Sequence, residues 1–424
     1  MRLLQRGMTG TDVMEIQAML QKIGYNPGPV DGVFGPQLQQ AVILFQENYM
    51  LAPDGIIGPE TYAMMERYLF GYDIYTIRSG DTYGTIAGRY YTDPVLLRAA
   101  NPAVSPNNLL IGQQIVAPYG FGVVDTNIGY TYDVLERDIQ GLMARYPFLE
   151  TGVAGRSLLG RNLYYIKLGD GPNQVFYNGA HHSLEWITVP LLMKFTEQFL
   201  TAYVMGNSIG PGYNPREIWR RSSIYIMPMV NPDGVDLVLN GLNLDNPYYR
   251  DLIRWNKGST DFSTVWQANN RGVDLNHNYN AAWQLSKDAE QAYGIMGPGP
   301  TRYSGLAPES EPESRAVADF TRTHNFKLVL AYHSQGQVIY WNFMDMAPPE
   351  ARSIGEQLAR ASGYTLDETT GIASYAGYKD WFIQEYGRPG YTVEVGLGRN
   401  PLPISQFDQI YNDNLELLLL ASVI

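Results

Sequence analysis

The 424-residue chain is 45% hydrophobic and 17% charged, with 30 Lys and Arg against 42 Asp and Glu and a net charge of −12. Its length requires two or three domains, and its acidity removes the phosphate-backbone attraction that a nucleic-acid partner needs. The absence of cysteine excludes disulfides, thiolate metal ligands and a thiol nucleophile, and no apolar run reaches the length of about 18 residues that membrane insertion requires.

The N-terminus, MRLLQRGMTG, lacks the apolar core of a secretory signal. Either export takes another route or the numbering begins after a removed signal. Val13, Ile16, Leu20 and Ile23 recur at helical spacing, and Leu38, Val42 and Phe45 mark a second helix. An internal repeat follows each: DGVFGP at 31–36 and DGIIGP at 54–59. Asp-Gly suits a tight turn, and Gly-Pro places a proline in the first turn of the next helix. In residues 72–118, a strand at Tyr75–Ile77 leads to the turn SGDT. Ile86 and Ala87 then belong to one helix, Val95, Leu97 and Ala100 to another, and 110–115 reads as a return strand.

Residues 119–130, YGFGVVDTNIGY, are Gly-rich and read as a linker. Beyond them, strand candidates alternate with amphipathic helices, which predicts an α/β domain with a largely buried sheet. The strands are 174–180, 224–230, 327–334 and 391–395, and the first helix covers 186–203. Ser310 and Glu313 are spaced as a capping box before the helix SRAVADFTRTH, with Pro312 in its first turn.

Three of these strands end in groups that bind metal or move protons. HHSLEW follows the first, His333 closes the third and Glu394 lies in the fourth. Ligands of open α/β sheets bind outside the carboxyl ends of strands. HHSLEW leaves two histidines open, since His181 is four residues before Glu185 and His182 three. A hydrolytic zinc site needs three protein ligands and an open position. His182 and Glu185 can converge from one turn, with His333 arriving from a separate strand. The helical HExxH signature is absent.

Three resemblances cover the chain. RGMTGTDVMEIQAMLQKIGY, followed by the two DG..GP repeats, resembles a three-helix peptidoglycan-binding domain, placed at 1–70. YTIRSGDTYGTIAGRYYTDPVLLRAANP with NLLIGQQIVAP resembles a βααβ LysM module, placed at 72–119 and separated by a linker at 120–130 from the rest. HSLEWI, NPDG, NNRGVDLNHNY, GPTRYSGLAPESEPE, AYHSQG and YTVEVG occur in the order of the zinc carboxypeptidase superfamily, over 131–424. That resemblance implies an α/β/α domain with a mixed central sheet and a Zn2+ cofactor held by His182, Glu185 and His333. Glu394 is the implied general base toward the attacking water. Arg271 is the implied oxyanion partner, with a framework salt bridge as its other reading. Asn276 would hold the substrate's polar end. His181 would pack beside the site or hydrogen-bond a ligand.

Two departures matter. Carboxypeptidases usually read Asn-Arg where this chain reads Asn276-His277, and an imidazole grips a carboxylate far less well than a guanidinium. The tyrosine that overlies substrate in digestive members has no clear match. Ile383 falls near its place, and Tyr375 and Tyr378 are the candidate substitutes. GLGRNPLP at 396–403 resembles the bacterial subgroup that cuts γ-D-glutamyl–diaminopimelate bonds of peptidoglycan stem peptides, including sporulation-associated endopeptidases that lack a signal peptide. The implied partners are glycan chains for the two N-terminal modules and a stem peptide for the active site. The implied place is the sporulating cell and spore, or the cell wall if a signal has been removed. Alternatives are a peptidoglycan carboxypeptidase, a conventional zinc carboxypeptidase and a catalytically dead wall-binding protein.

Overall fold

A computed structural model describes residues 2–424. The chain divides into two compact units, Met1–Leu149 with Glu197–Asn207, and Glu150–Thr196 with Ser208–Ile424. In the first unit, α1 (Thr11–Lys22), α2 (Pro36–Asn48) and α3 (Pro59–Phe70) enclose a core that includes Val13, Ile16, Leu20, Phe34, Leu38, Phe45, Ile57 and Met65. Pro36 and Pro59 open α2 and α3, as the repeat predicts. The repeat has a second, buried half. The Gln17 amide of α1 donates to Asp31 Oδ1 at 2.9 Å and accepts from the Asp31 and Gly32 N–H groups. The Gln46 amide of α2 donates to Asp54 Oδ1 at 2.8 Å and Ile56 O at 2.9 Å, and accepts from Gly55 N–H at 2.9 Å. Each Asp-Gly turn is thus pinned by a glutamine of the helix before it.

Next come β1 (Tyr72–Thr76), α4 (Tyr83–Arg89), α5 (Pro94–Ala100) and β2 (Gln114–Pro118), with β1 and β2 antiparallel. The return strand begins later than 110–115. Leu110 and Ile111 are exposed in a turn closed by Gly112 N–H on Ile77 O, and the inward residues are Ile115 and Ala117. Residues 119–130 contain no regular element, yet Val123, Val124, Ile128 and Tyr130 are buried. The Arg145 guanidinium donates to Phe121 O and Tyr119 O, and Lys22 pairs with Asp125 at 2.6 Å. The segment is therefore fastened along its length. The helix α6 (Tyr132–Arg145) belongs to the same unit and meets α1 through Arg137–Glu15 at 2.6 Å.

The second unit is built on eight strands: β3 (Glu150–Arg156), β4 (Asn162–Leu168), β5 (Asn173–Gly179), β6 (Ser222–Met227), β7 (Leu328–Ser334), β8 (Val338–Tyr340), β9 (Thr365–Asp367) and β10 (Gly390–Val395). Their order is β3-β4-β6-β5-β7-β10-β8-β9. The central β6, β5, β7 and β10 run parallel, and antiparallel pairs flank them, giving a mixed sheet. All seven residues of β7 are buried, the pattern of a parallel strand covered on both faces. The α helices of this unit and its borders are α7 (Thr188–Met205), α8 (Pro215–Arg221), α9 (Pro232–Asn240), α10 (Tyr249–Trp255), α11 (Trp283–Ala292), α12 (Pro312–Arg322), α13 (Pro349–Ser362), α14 (Tyr378–Tyr386) and α15 (Phe407–Ala421). The unit boundary falls within α7.

On one face of the sheet, Phe176, Tyr225 and Val329 pack against Val317 and Phe320 of α12 and Tyr378, Trp381 and Phe382 of α14. On the other, the Tyr177 hydroxyl reaches Leu418 O of α15 and the Tyr391 hydroxyl reaches Ala351 O of α13. The domain is three-layered, α/β/α. The strand predicted over 224–230 ends at Met227, because Pro228 cannot continue the ladder. The capping box at Ser310 does not form. α12 starts at Pro312, the Ser310 hydroxyl turns to Glu311, and the Glu313 carboxylate accepts from Leu158 N–H and Asn269.

The glutamine pins yield a stability expectation. Gln46 is buried, and its removal leaves the Gly55 N–H without a partner and the Ile56 carbonyl with only the Thr61 hydroxyl at 3.4 Å. Each orphaned buried group costs about 1–3 kcal/mol. Gln46→Leu should therefore speed hydrogen exchange at the Gly55 amide and lower the denaturation midpoint of residues 1–70, whereas the exposed Gln40→Ala should leave both unchanged.

Candidate metal centre and substrate cavity

The strands β5, β7 and β10 end side by side. His182 follows β5 and caps a short 3-10 turn, Ser183–Glu185, that carries Glu185. His333 lies in β7, and Glu394 of β10 is its partner in the parallel register. The three groups His182, Glu185 and His333 bring one ligand atom each to within 4.8 Å of one another. His182 Nδ1 lies 3.0 Å from Glu185 Oε1, His333 Nδ1 lies 2.8 Å from Glu185 Oε2, and the two Nδ1 atoms are 3.3 Å apart. The Asn400 amide donates to Glu185 Oε1 at 3.2 Å and to Ser334 O at 2.6 Å, which orients the carboxylate.

A further carboxylate stands behind the histidine. His182 Nε2 is 3.0 Å from Asp274 Oδ1. The other oxygen of Asp274 accepts from Thr301 Oγ1 and from Arg302 N–H at 2.8 Å. Burial opposes ionisation of Asp274, but His182, His277 and Arg302 hold its carboxyl well below the usual range. An ionised Asp274 takes the Nε2 proton of His182 as a hydrogen bond, so that a metal ion displacing the proton on the other nitrogen would meet the Nδ1 lone pair. His181 lies apart from the trio. Its ring stacks 5.6 Å from His333, its Nε2 meets the Tyr279 hydroxyl at 2.9 Å, and burial with two neighbouring imidazoles keeps it neutral.

His182 and Glu185 line a cavity of about 520 Å³ together with Asn276, His277, Arg302, Tyr340, Asp367, Glu368, Lys379, Asp380, Glu394 and Asn400, and the buried His333 meets it through Glu185. Burial raises the Glu394 carboxyl well above its ordinary range, and the charge of Glu185 adds to this, while His182 and Arg302 oppose it. Asn276 faces the cavity, and its Oδ1 accepts from Tyr378 N–H at 3.0 Å. His277 is pushed below the ordinary imidazole range by burial, with Asp274 opposing and Arg302 adding, so it is neutral. Its Nε2 lies 3.2 Å from the Arg302 guanidinium.

Several expectations move. Arg271 is not among the residues lining the cavity. Its Nε pairs with Glu311 at 3.0 Å and its Nη2 meets Ser310 O, the framework alternative. The guanidinium in the cavity is that of Arg302, from GPTRYSG, and it stands beside the His277 that replaces an arginine. Ile383 and Tyr378 are core residues, and Tyr375 packs partly buried against the same core, so none of the three overlies the cavity. The tyrosine that lines it is Tyr340 of β8.

Residues 135–417 match the zinc carboxypeptidase family, residues 9–65 a peptidoglycan binding domain and residues 75–118 a LysM domain. The chain belongs to the zinc carboxypeptidase family. It is 43% identical over 302 residues, 70% of this chain and 73% of the relative, to gamma-D-glutamyl-L-diamino acid endopeptidase 1 of Lysinibacillus sphaericus. It is 26% identical to carboxypeptidase B of Rattus norvegicus over 67% of this chain and 68% of that one. Its fold is that of thrombin activatable fibrinolysis inhibitor, at 20% identity and a TM-score of 0.56 over 70% of this chain and 77% of that one. The carboxypeptidase A of Helicoverpa armigera shares it at 18% identity and a TM-score of 0.54, over 91% and 94%.

Zinc is the metal of this family, and the residues here fit it. Two imidazoles and one carboxylate are a catalytic zinc donor set. The two Nδ1 atoms converge on the same side of Glu185, and Asp274 fixes the tautomer that presents the His182 lone pair. Asp274, Arg302 and Asn400 were missed from sequence, although all three lie inside motifs read for other residues. Zinc content should therefore fall sharply in His182→Ala and persist in His181→Ala. Asp274→Asn should weaken zinc affinity by roughly 10–100-fold, the usual effect of removing such a supporting carboxylate, as measured by competition with a chelating dye.

Proposed function

We propose that this chain is a peptidoglycan endopeptidase that hydrolyses the γ-D-glutamyl–meso-diaminopimelate bond of stem peptides. The observation that carries the reading is the placement of Glu394 in register with His333, in the lining of a cavity that His182 and Glu185 also line. The similarity to a γ-D-glutamyl endopeptidase over 70% of the chain supports the bond cleaved. Peptidoglycan-binding and LysM matches in the same chain support the polymer and a wall-associated setting. In this reading residues 1–70 and 72–119 hold glycan strands and 131–424 takes the stem peptide. Tethering by two modules raises the local concentration of cleavable bonds without a new contact at the active site. At a net charge of −12, that binding rests on stacking and hydrogen bonds. Among the described residues no helix is long and apolar enough to cross a membrane.

Zinc held by His182, Glu185 and His333 supplies Lewis acidity toward the scissile carbonyl and acidifies water. Glu394 accepts a proton from the attacking water. Its raised proton affinity in a half-buried setting suits it to take up that proton, which it then passes to the more basic leaving amine. The Arg302 guanidinium, fixed through its backbone N–H on Asp274 and beside the neutral His277, is placed to receive negative charge developing on the carbonyl oxygen. Asn276, with its carbonyl oxygen engaged by Tyr378 N–H, has its amide hydrogens for the substrate's polar end. The presence of Arg302 also favours a second reading, a carboxypeptidase whose guanidinium grips a terminal carboxylate.

Mass spectrometry of digested muropeptides separates the two. On tetrapeptide muropeptides the endopeptidase leaves an L-alanyl-D-glutamyl end and frees a diaminopimelyl-D-alanine dipeptide, whereas loss of the terminal D-alanine alone would establish the carboxypeptidase. Glu394→Gln should keep zinc and lose roughly 10²–10⁴-fold in kcat. Arg302→Ala should lose roughly 10²–10³-fold, and Arg271→Ala far less. An Arg271 variant impaired as much as the Arg302 variant would reverse that assignment.

A further inference from the structure

The cavity holds a second cation that none of these steps uses. Lys379, in the first turn of α14, lines the cavity and is 2% exposed. Its Nζ donates to Asn342 O at 2.6 Å and pairs with Asp380 Oδ1 at 2.6 Å, while Asp380 Oδ2 accepts from Gly377 N–H. An ammonium has three hydrogens, and of these two contacts only that to Asn342 O is a hydrogen bond, the one to Asp380 being an ion pair. The preceding residue, Tyr378, is joined through its N–H to Asn276, so the turn that carries Lys379 is locked to the segment that carries Asn276 and His277. Lysine is almost never fully buried unless paired, and here the pair is seated in the wall of the substrate cavity. Asp367 and Glu368 lie on the exposed part of the same lining.

The lining therefore presents a buried ammonium together with carboxylates, the charge complement of a group that bears both a carboxylate and an ammonium. The far end of the diaminopimelate side chain is such a group, and that of lysine carries the ammonium alone. On the endopeptidase reading above, on which this inference rests, we propose that Lys379 is a specificity-determining residue that reads the distal carboxylate of the diamino acid released by cleavage. Asp367 and Glu368 face the ammonium of the same terminus. A site built to hydrogen-bond a charged group rejects the analogue lacking it, because the buried donor is left unpaired.

The test compares two synthetic peptides, L-Ala-γ-D-Glu-meso-diaminopimelate and L-Ala-γ-D-Glu-L-lysine, which differ by that carboxylate alone. The wild-type protein should favour the first by roughly ten- to a hundredfold in kcat/KM, the range of a hydrogen bond to a charged group. Lys379→Met and Lys379→Gln should bring the ratio close to one by losing activity on the diaminopimelate peptide while keeping that on the lysine peptide. Amidation of the distal carboxylate should make the wild-type protein treat the first peptide as it treats the second, a readout that needs no variant to fold. Equal wild-type rates on the two peptides, or a preference that survives at Lys379→Met, would overturn the inference while leaving the endopeptidase reading standing. Cleavage of neither peptide would overturn both.

Discussion

The parallel pairing of β5, β7 and β10 is the constraint on which the rest of the site depends. Parallel strands end level with one another, so groups at their carboxyl ends share one edge of the sheet. The register sets Glu394 beside His333, and the turn after β5 delivers His182 and Glu185 to the same edge. These strands are covered on both faces by α12 and α14 and by α13 and α15. A one-residue slip would reverse every side chain of a strand between those faces. The hydrophobic core that holds the register therefore also holds the geometry of the His182–Glu185–His333 trio.

Asp274 is the electrostatic hub of this edge. One oxygen faces His182 and the other binds the backbone of Arg302. A single carboxylate thus braces the His182 ring and anchors the backbone of the residue that carries the cavity's guanidinium. The charge of its neighbours has other causes, burial first among them. His277 stays neutral beside Arg302, and Glu394 has its proton affinity raised by burial and by Glu185. Glu394 thus differs from Glu185 and Asp274, whose carboxyls the neighbouring imidazoles hold low.

Legibility from sequence was uneven for physical reasons. The parallel strands stood out because burial on both faces makes them continuous apolar runs, as in LVLAYHS. β3 and β4, with mixed burial, and the three-residue β8 and β9 left no such mark. The capping box at Ser310 failed because both its side chains have partners distant in sequence. Arg271 and Arg302 carry the same chemistry in adjacent motifs. Only the loops' paths send one to Glu311 and the other into the cavity. The glutamines behind the Asp-Gly repeat escaped notice because a buried amide on a helix has no sequence signature apart from its partner.

By itself, the sequence determined the order of the modules, the parallel α/β character of the larger domain, and the residue types capable of holding zinc. These are properties of local pattern: apolar periodicity, turn residues and short motif spacing. The tertiary structure decided which histidine of HHSLEW joins Glu185 and His333, which arginine enters the cavity, and that Lys379 and Tyr340 line it while Tyr378 is sealed in the core. Those outcomes depend on contacts between segments a hundred or more residues apart, such as Asn276 with Tyr378 and His182 with His333. Side-chain direction at such a crossing is set by packing and register, which no window of sequence contains.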